Sequence, residues 1–378
     1  MRGFVAACLL VGCYAPQPPA GAPCPADGIC PSGLVCSAAT NTCEHANMNP
    51  NDGSLDAPHD TVGPGPDSSV ATFLYRRRLT IKNNATTLMP TGFTIRVPLG
   101  TTLATLVGAG KVRADYSDLR VIGTLGGERD RIVDPVGGVA PVALSFSLGT
   151  SIAAGTASTD YAIYYGNPNA GTPPTNGSAV FQLFDDFTSG IQTFWLQNDA
   201  PTTAGGSLVL RANHTDALTT NAAADNVPTV SAVELIATIA DPNSNPTVQP
   251  AGTFYYWFGY QHLGDFTASD PWIIWIARGK GQLHGELKSP VGCETGCDGP
   301  YINQDTAAHY YTVERDGDAT RFYRDGTLSY TQAVTNTTDY SLMVRNFMAT
   351  SDVTIDYVRA RARVTPEPTI TIGAEENL

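Results

Sequence analysis

Basic residues are scarce in this chain. Only 22 Lys and Arg stand against 35 Asp and Glu, a formal charge of −13 over 378 residues. Phosphate binding needs clustered cations, so this balance excludes nucleic acid as a partner. Sustained helical periodicity is missing too, which removes helical bundles and coiled coils. The apolar run at the N-terminus covers only 4–11, short of the roughly 20 residues needed to span a bilayer. GxSxG and HExxH are absent, and so is the Glu-x-Asp-x-Glu array of many glycoside hydrolases. The nearest approach, Glu314-Arg315-Asp316, runs into Gly317 with no second Glu after it. Glu234 and Glu286 are isolated, and a lyase would need His262, His284, His309 and Tyr311 to converge. No cysteines form a CxxC pair, which argues against a zinc ribbon.

What remains is β-structure. Hydrophobic residues reach 42%, enough for real cores, and 37 Gly with 27 Pro supply turns. Short alternating runs at 74–82, 93–99, 118–122, 142–148 and 160–165 predict a first antiparallel β-domain over 72–180. A second, over 181–378, has runs at 206–213, 230–240, 253–260, 272–277, 309–315, 320–325, 341–346 and 353–364. Asp316-Gly317 and Asp325-Gly326 are hairpin signals. An edge strand at 369–372 closes this second domain. The fold class expected is all-β, two antiparallel β-sandwiches.

The N-terminus predicts export. Arg2 precedes the apolar run, and Leu10-Val11-Gly12-Cys13 resembles a bacterial lipobox. The resemblance implies a signal peptide over 1–12 and lipid on Cys13, which with two or more acyl chains anchors stably to the cell envelope, the outer membrane by expectation. Cys8 leaves with the signal. Cys24, Cys30, Cys36, Cys43, Cys293 and Cys297 remain, an even set suited to disulfides in an oxidising compartment. The segment 13–43 is too small to bury a core, so crosslinks would hold it. It resembles short cysteine-rich segments behind lipoboxes in Gram-negative surface lipoproteins. Residues 44–71 carry five acids, no Lys or Arg, and several prolines, the composition of an extended, disordered spacer.

YRRRLTIKN at 75–83, DLRV at 118–121, Tyr164-Tyr165-Gly166-Asn167-Pro168 and VFQLFDDF at 180–187 resemble the bacterial family called domain of unknown function 2341. That resemblance covers roughly 73–187 and implies a concanavalin-like module behind it, often on surface proteins. The second domain is indeed similar to concanavalin-like (laminin-G-like) jelly rolls, through YTVERDGDATRFYRDG at 311–326 and the closing strand 353–364.

Three of the four Trp lie in the aromatic runs TFYYWFGY (253–260) and WIIWIA (272–277). Strand alternation gives each run two faces, one for the core and one that stacks on sugar rings. The provisional ligand face is Tyr255, Trp257 and Trp275; a one-residue shift exchanges it for the other set, and the alternative is that all the rings are core. Arg359, Arg361 and Arg363 line one face of the closing strand and read as a solvated strip, with acidic-glycan or phosphate binding as the sharper alternative. Asp356 falls in phase with Val358 and Ala360 and so needs a cation or hydrogen bonds. A structural calcium shared with Asp185 and Asp186 is one answer; an ion pair or a cap on backbone amides is another.

The function these features imply is a lipid-anchored envelope protein whose second sandwich binds a ligand, carbohydrate by expectation, or adheres, without turnover. A hydrolase or lyase on the same jelly roll is the alternative, and a purely structural or protein-interaction role the third.

Overall fold

The computed structural model describes residues 34–37, 42–45, 72–124, 127–134, 143–220, 227–243, 255–261, 272–279, 282–288, 299–333 and 340–378. The signal, residues 46–71 of the spacer, Cys13, Cys24, Cys30, Cys293 and Cys297 lie outside them. The chain divides into a unit ending at Gly65 and a large one from Pro66. In the first, β1 (Leu34–Ser37) and β2 (Thr42–His45) pair antiparallel with Cys36 opposite Cys43. Cys36 is disulfide-bonded.

The large unit begins with β3 (Tyr75–Lys82), β4 (Thr94–Pro98), α1 (Gly100–Gly108), β5 (Arg120–Gly123), β6 (Glu128–Arg129), β7 (Arg131–Val133), β8 (Ala143–Ser147) and β9 (Ala157–Tyr165). The short helix α2 (Gly177–Val180) leads to β10 (Leu183–Asp185), β11 (Trp195–Asn198), β12 (Thr202–Ala204), β13 (Ser207–Leu210), β14 (Ala217–Thr220) and β15 (Val230–Ile239). Then come β16 (Tyr256–Gln261), β17 (Trp272–Gly279), β18 (Gln282–Lys288), β19 (Ile302–Asn303), β20 (His309–Asp316) and β21 (Ala319–Arg324). The last are β22 (Thr327–Ala333), β23 (Ser341–Asn346), β24 (Val353–Ala362) and β25 (Thr369–Asn377).

The protein is all-β in architecture, with two sandwiches. The first sets the five-stranded sheet β25-β3-β9-β5-β6 against the three-stranded sheet β4-β8-β7. Alternation along β3, β4, β8 and β9 turns Leu79, Ile81, Ile95, Val97, Leu144, Phe146, Ile163 and Tyr165 into one core, which Leu103 and Leu106 of α1 join. The second sets β12-β13-β24-β15-β20-β21-β22, with β10 also on β24, against β11-β14-β23-β16-β17-β18-β19. Its core takes Val233 and Leu235 from one sheet and Phe258, Tyr260 and Trp275 from the other. The Asp-Gly signals are hairpin turns as expected; Asp325 (φ 54°) and Gly326 (φ 75°) give the doubly positive pair of a type I′ turn.

One strand departs from expectation. β25 does not close the second sandwich; it crosses back and pairs with β3, placing Glu376 opposite Arg76 and Glu375 opposite Arg77. Ile370 and Ile372 pack on the first core, while Glu376 bridges Arg76 (2.6 Å) and Arg78 (3.0 Å). Arg76 and Arg78 are thus met by an acid from the far end of the chain, opposite charges paired across a ladder, while Arg77 donates to the Tyr165 hydroxyl and the Gly373 carbonyl.

Candidate functional site

β16 and β17 are central strands and are buried on both faces. Trp257 stands opposite Ile276, whereas Trp275 stands opposite Phe258, so the two tryptophans lie on opposite faces of the sheet. Tyr255, Trp257 and Trp275 are 5%, 2% and 0% exposed. This corrects the expected ligand face: the three neither share a face nor meet solvent. Tyr255 and Trp275 are spent in the inter-sheet core, where Trp275 Nε1 donates to the Thr312 carbonyl at 3.3 Å. A large sandwich core consumes its aromatics before any platform is built.

The face turned away from that core is unusual for its apolarity. It gathers Trp257, Trp272, Ile274, Ile276 and Met343 into a second cluster. Trp257 and Trp272 meet edge to face with centroids 5.3 Å apart, and the Arg345 guanidinium lies 5.7 Å from the Trp257 ring. Gly259 lies in the middle of β16 at φ 148°, and a Cβ there would come 2.4 Å from the Ile273 carbonyl oxygen. Only glycine lets the two strands approach so closely.

The expected calcium ligands do not assemble. Asp185 is fully buried, and its two oxygens accept from Phe187 N (2.9 Å), Gln192 N (3.0 Å) and Trp195 Nε1 (2.9 Å). Burial pushes its carboxyl above the usual range against the pull of those donors. Asp186 caps Thr188 through its backbone N–H and hydroxyl. Asp356 is exposed and accepts from the Ser207 hydroxyl at 3.0 Å. It is the extra residue of a β-bulge, since Ile236 faces Tyr357 while Ala237 faces Ile355. The bulge resets the alternation, so Ile355 and Val358 both point inward and Asp356 does not need a cation.

Among the described residues, one group has metal-ligand proximity: Asp199, His214 and Asp216, whose ligand atoms lie within 4.8 Å of one another. A side chain already supplies the positive charge there. Arg211 donates Nε and Nη2 to Asp216 at 2.8 and 2.7 Å, and Nη2 lies 3.3 Å from Asp199. Burial works against the Asp216 anion, but the Arg211 bonds prevail and hold its carboxyl below the ordinary range.

The arginine strip of β24 is also corrected. Its face is the outer one of the eight-stranded sheet, as alternation predicts, but the first sandwich covers it. Arg359 is 1% exposed and gives Nε to Glu234 (2.6 Å), Nη1 to Asp134 (2.5 Å) and Nη2 to the Tyr310 hydroxyl (3.3 Å), with the Phe181 ring 4.5 Å away. Arg361 reaches Glu234 and Glu367, both at 3.1 Å, and Arg363 reaches Glu367 (2.6 Å) and Glu314 (3.2 Å). Arg96 of β4 holds Asp134 at 2.8 Å and lies 5.6 Å from the Tyr310 ring. Four arginines (96, 359, 361, 363) therefore meet four carboxylates (134, 234, 314, 367), and the network is neutral overall. Burial opposes the Glu234 anion, yet Arg359 and then Arg96 and Arg361 hold its carboxyl far below the usual range. A cavity of about 270 Å³ opens beside this network, lined by Arg96, Glu314, Arg361 and Glu367 among others.

The candidates for catalysis are placed as follows. Glu314 faces Arg361 and Arg363, and Asp316 caps its hairpin, accepting from Ala319 N and bonded to Arg321. His309 is bonded to Asp305 (3.0 Å) and Asp325 (2.7 Å), and Tyr311 is a core residue. Glu286 stands opposite Ile274 and His284 opposite Ile276 on β18. His262 lies outside the described residues.

Comparison with known proteins gives a family and a set of similar structures. Residues 150–199 match a family described as a domain of unknown function (DUF2341). The matched window holds the Tyr164–Pro168 and 181–187 motifs and runs on to β11; it does not reach the arginine-rich opening strand. A search of curated proteins found no match. Among solved structures, the chain is similar to an endo-β-1,3-glucanase from Pyrococcus furiosus (11% identity, TM-score 0.40, covering 48% of this chain and 94% of that one). It is also similar to a laminarinase from Flavobacterium sp. UMI-01 (14% identity, TM-score 0.39, 48% and 99% covered). The laminarinase catalytic domain from Thermotoga maritima MSB8 is a third (13%, TM-score 0.39, 49% and 98%).

Proposed function

We propose that this protein is a lipid-anchored cell-envelope protein whose two sandwiches act as one non-catalytic adhesion or scaffold body. The neutral ion network between the sandwiches carries this reading. Breaking any of its buried pairs strands a charge, so the two sandwiches are held as a single rigid piece. The same network and the Arg321–Asp316 pair engage Glu234, Glu314 and Asp316, the carboxylates among which the sequence came nearest to a glycosidase array. Lipid on Cys13 and disulfides among the six remaining cysteines belong to this proposal. Its test is fractionation of cells making wild type and Cys13→Ser, with attachment of whole cells to surfaces as the second readout. Wild type in the membrane fraction, Cys13→Ser in the soluble one and attachment lost with it are expected; Cys13→Ser retained on membranes refutes the anchor.

A second reading, carbohydrate binding by the second sandwich, takes its support from the resemblance of 311–326 and 353–364 to concanavalin-like jelly rolls, and it needs a face other than the sealed Trp257–Trp272 cluster. A glycan array probed with the Cys13→Ser chain tests it. Saturable binding supports it, and an array blank throughout removes it.

A further inference from the structure

We propose that the open end of the first sandwich is a binding site for an acidic sugar, with Arg129 reading the sugar's carboxylate. This site is distinct from the aromatic face of the second sandwich and does not depend on it. A cavity of about 320 Å³ lies where β5 ends, lined by Gly123, Thr124, Arg129, Gly149, Asp160 and Tyr161 among others. That volume is at the lower end of small-molecule sites, suited to one sugar ring.

Glycines keep this end open. A Cβ on Gly127 would meet nothing within 4 Å, and one on Gly149 would press on the Arg129 guanidinium, 3.2 Å from Nη1 and 3.3 Å from Cζ. The Gly149 turn is fixed by its N–H, which donates to the Tyr161 hydroxyl at 2.7 Å. Arg129 gives Nε and Nη2 to the Ser147 carbonyl, each at 3.2 Å. Both bonds leave from one edge of the guanidinium, so the planar group is held in place while Nη1 stays available. Among the described residues Arg129 makes no ion pair; its guanidinium bonds the Ser147 carbonyl. A guanidinium fixed in this way and lacking a carboxylate is pre-organised to receive one.

The remaining lining identifies the ligand. Asp160, whose Oδ2 takes the Ser158 hydroxyl, disfavours a simple anion such as phosphate but accepts from sugar hydroxyls. Thr124 and Thr150 add hydroxyls of their own. A neutral sugar would leave Arg129 unused. A ring bearing hydroxyls and one carboxylate, a hexuronic acid, uses every group.

The soluble Cys13→Ser protein tests this, by saturation-transfer NMR and calorimetry with glucuronate, glucose and inorganic phosphate as probes. Saturable glucuronate binding is expected, with glucose and phosphate at least tenfold weaker. Arg129→Gln should weaken glucuronate at least tenfold, and Gly149→Ala several-fold by displacing the guanidinium, with melting curves showing both variants folded. Thr150→Ala, which leaves Arg129 in place, should weaken it only slightly and serves if Arg129→Gln fails to fold. No saturable glucuronate binding at millimolar concentration overturns the proposal. So does glucose or phosphate binding equal to glucuronate, or full binding by folded Arg129→Gln.

Discussion

Replacing Arg359 with Met is the sharpest probe of how the two sandwiches are held. The guanidinium is 1% exposed and serves Asp134 and Glu234, which are 0% and 1% exposed. Met fills most of its volume but removes the charge, leaving Asp134 to Arg96 and Glu234 to Arg361. Truncating one partner of a buried pair costs about 3–5 kcal/mol, and the surviving arginines put this case near the lower figure. For a body this large, about 3 kcal/mol lowers the melting temperature by roughly 5 °C. The pH dependence follows from Glu234, whose folded carboxyl is depressed. Its contribution is complete above the ordinary glutamate range and is lost as pH falls through that range toward the folded value. Wild type should therefore lose stability on acidification below about pH 5, and Arg359→Met should lose less over the same interval. Converting Arg96, Asp134, Glu234 and Arg359 together to Met, Leu, Leu and Met leaves Arg361 and Arg363 matched to Glu314 and Glu367 and should recover much of the loss, since apolar replacement removes the desolvation cost. Urea and thermal unfolding of the soluble protein at several pH values provide the measurements. A melting temperature for Arg359→Met equal to wild type, or an unchanged acid slope, refutes the reasoning.

Three other outcomes are expected. Deleting 369–378 strips β25 from β3, uncovering its backbone edge and the apolar surface under Ile370 and Ile372; limited proteolysis should then cut the first sandwich while the second resists. Gly259→Ala drives a Cβ into the Ile273 carbonyl and should cost more than about 3 kcal/mol, read as loss of soluble protein or a much lower urea midpoint. Asp185→Ala leaves the buried Trp195 Nε1 without its acceptor and should destabilise by about 1–3 kcal/mol, while chelator should not shift wild-type melting if Asp185 acts as a cap and not a calcium ligand.

Local signals in the sequence were legible. Asp-Gly pairs marked the β20–β21–β22 hairpins, and alternation identified β24 and the face its arginines occupy. The failures came from information that no local pattern carries. A single inserted residue at Asp356 reset the phase of β24 and moved that carboxylate to solvent. The arginine face read as solvated because Asp134, which receives Arg359, and Arg96 of the sandwich that covers it lie more than 200 residues earlier. β25 looked like a continuation of the second sandwich because its alternation fits any sheet edge; its acids, matched to Arg76 and Arg78, were the available clue. Trp257 and Trp275 are an even number of residues apart in no shared strand, so only the register at Phe258 decides their faces. Arg129 carries no motif, and its significance appears only when Ser147 and Gly149 are brought beside it.

β3 has a mechanical consequence. It is laddered on both sides, to β25 and to β9, and the Leu378 N–H donates to the Leu74 carbonyl at 3.0 Å just before the strand begins. Tension drawn along the chain into Leu74 therefore runs parallel to β3 and loads both ladders in shear. Many hydrogen bonds then share the load and must yield together, where a strand peeled from an edge would surrender them singly.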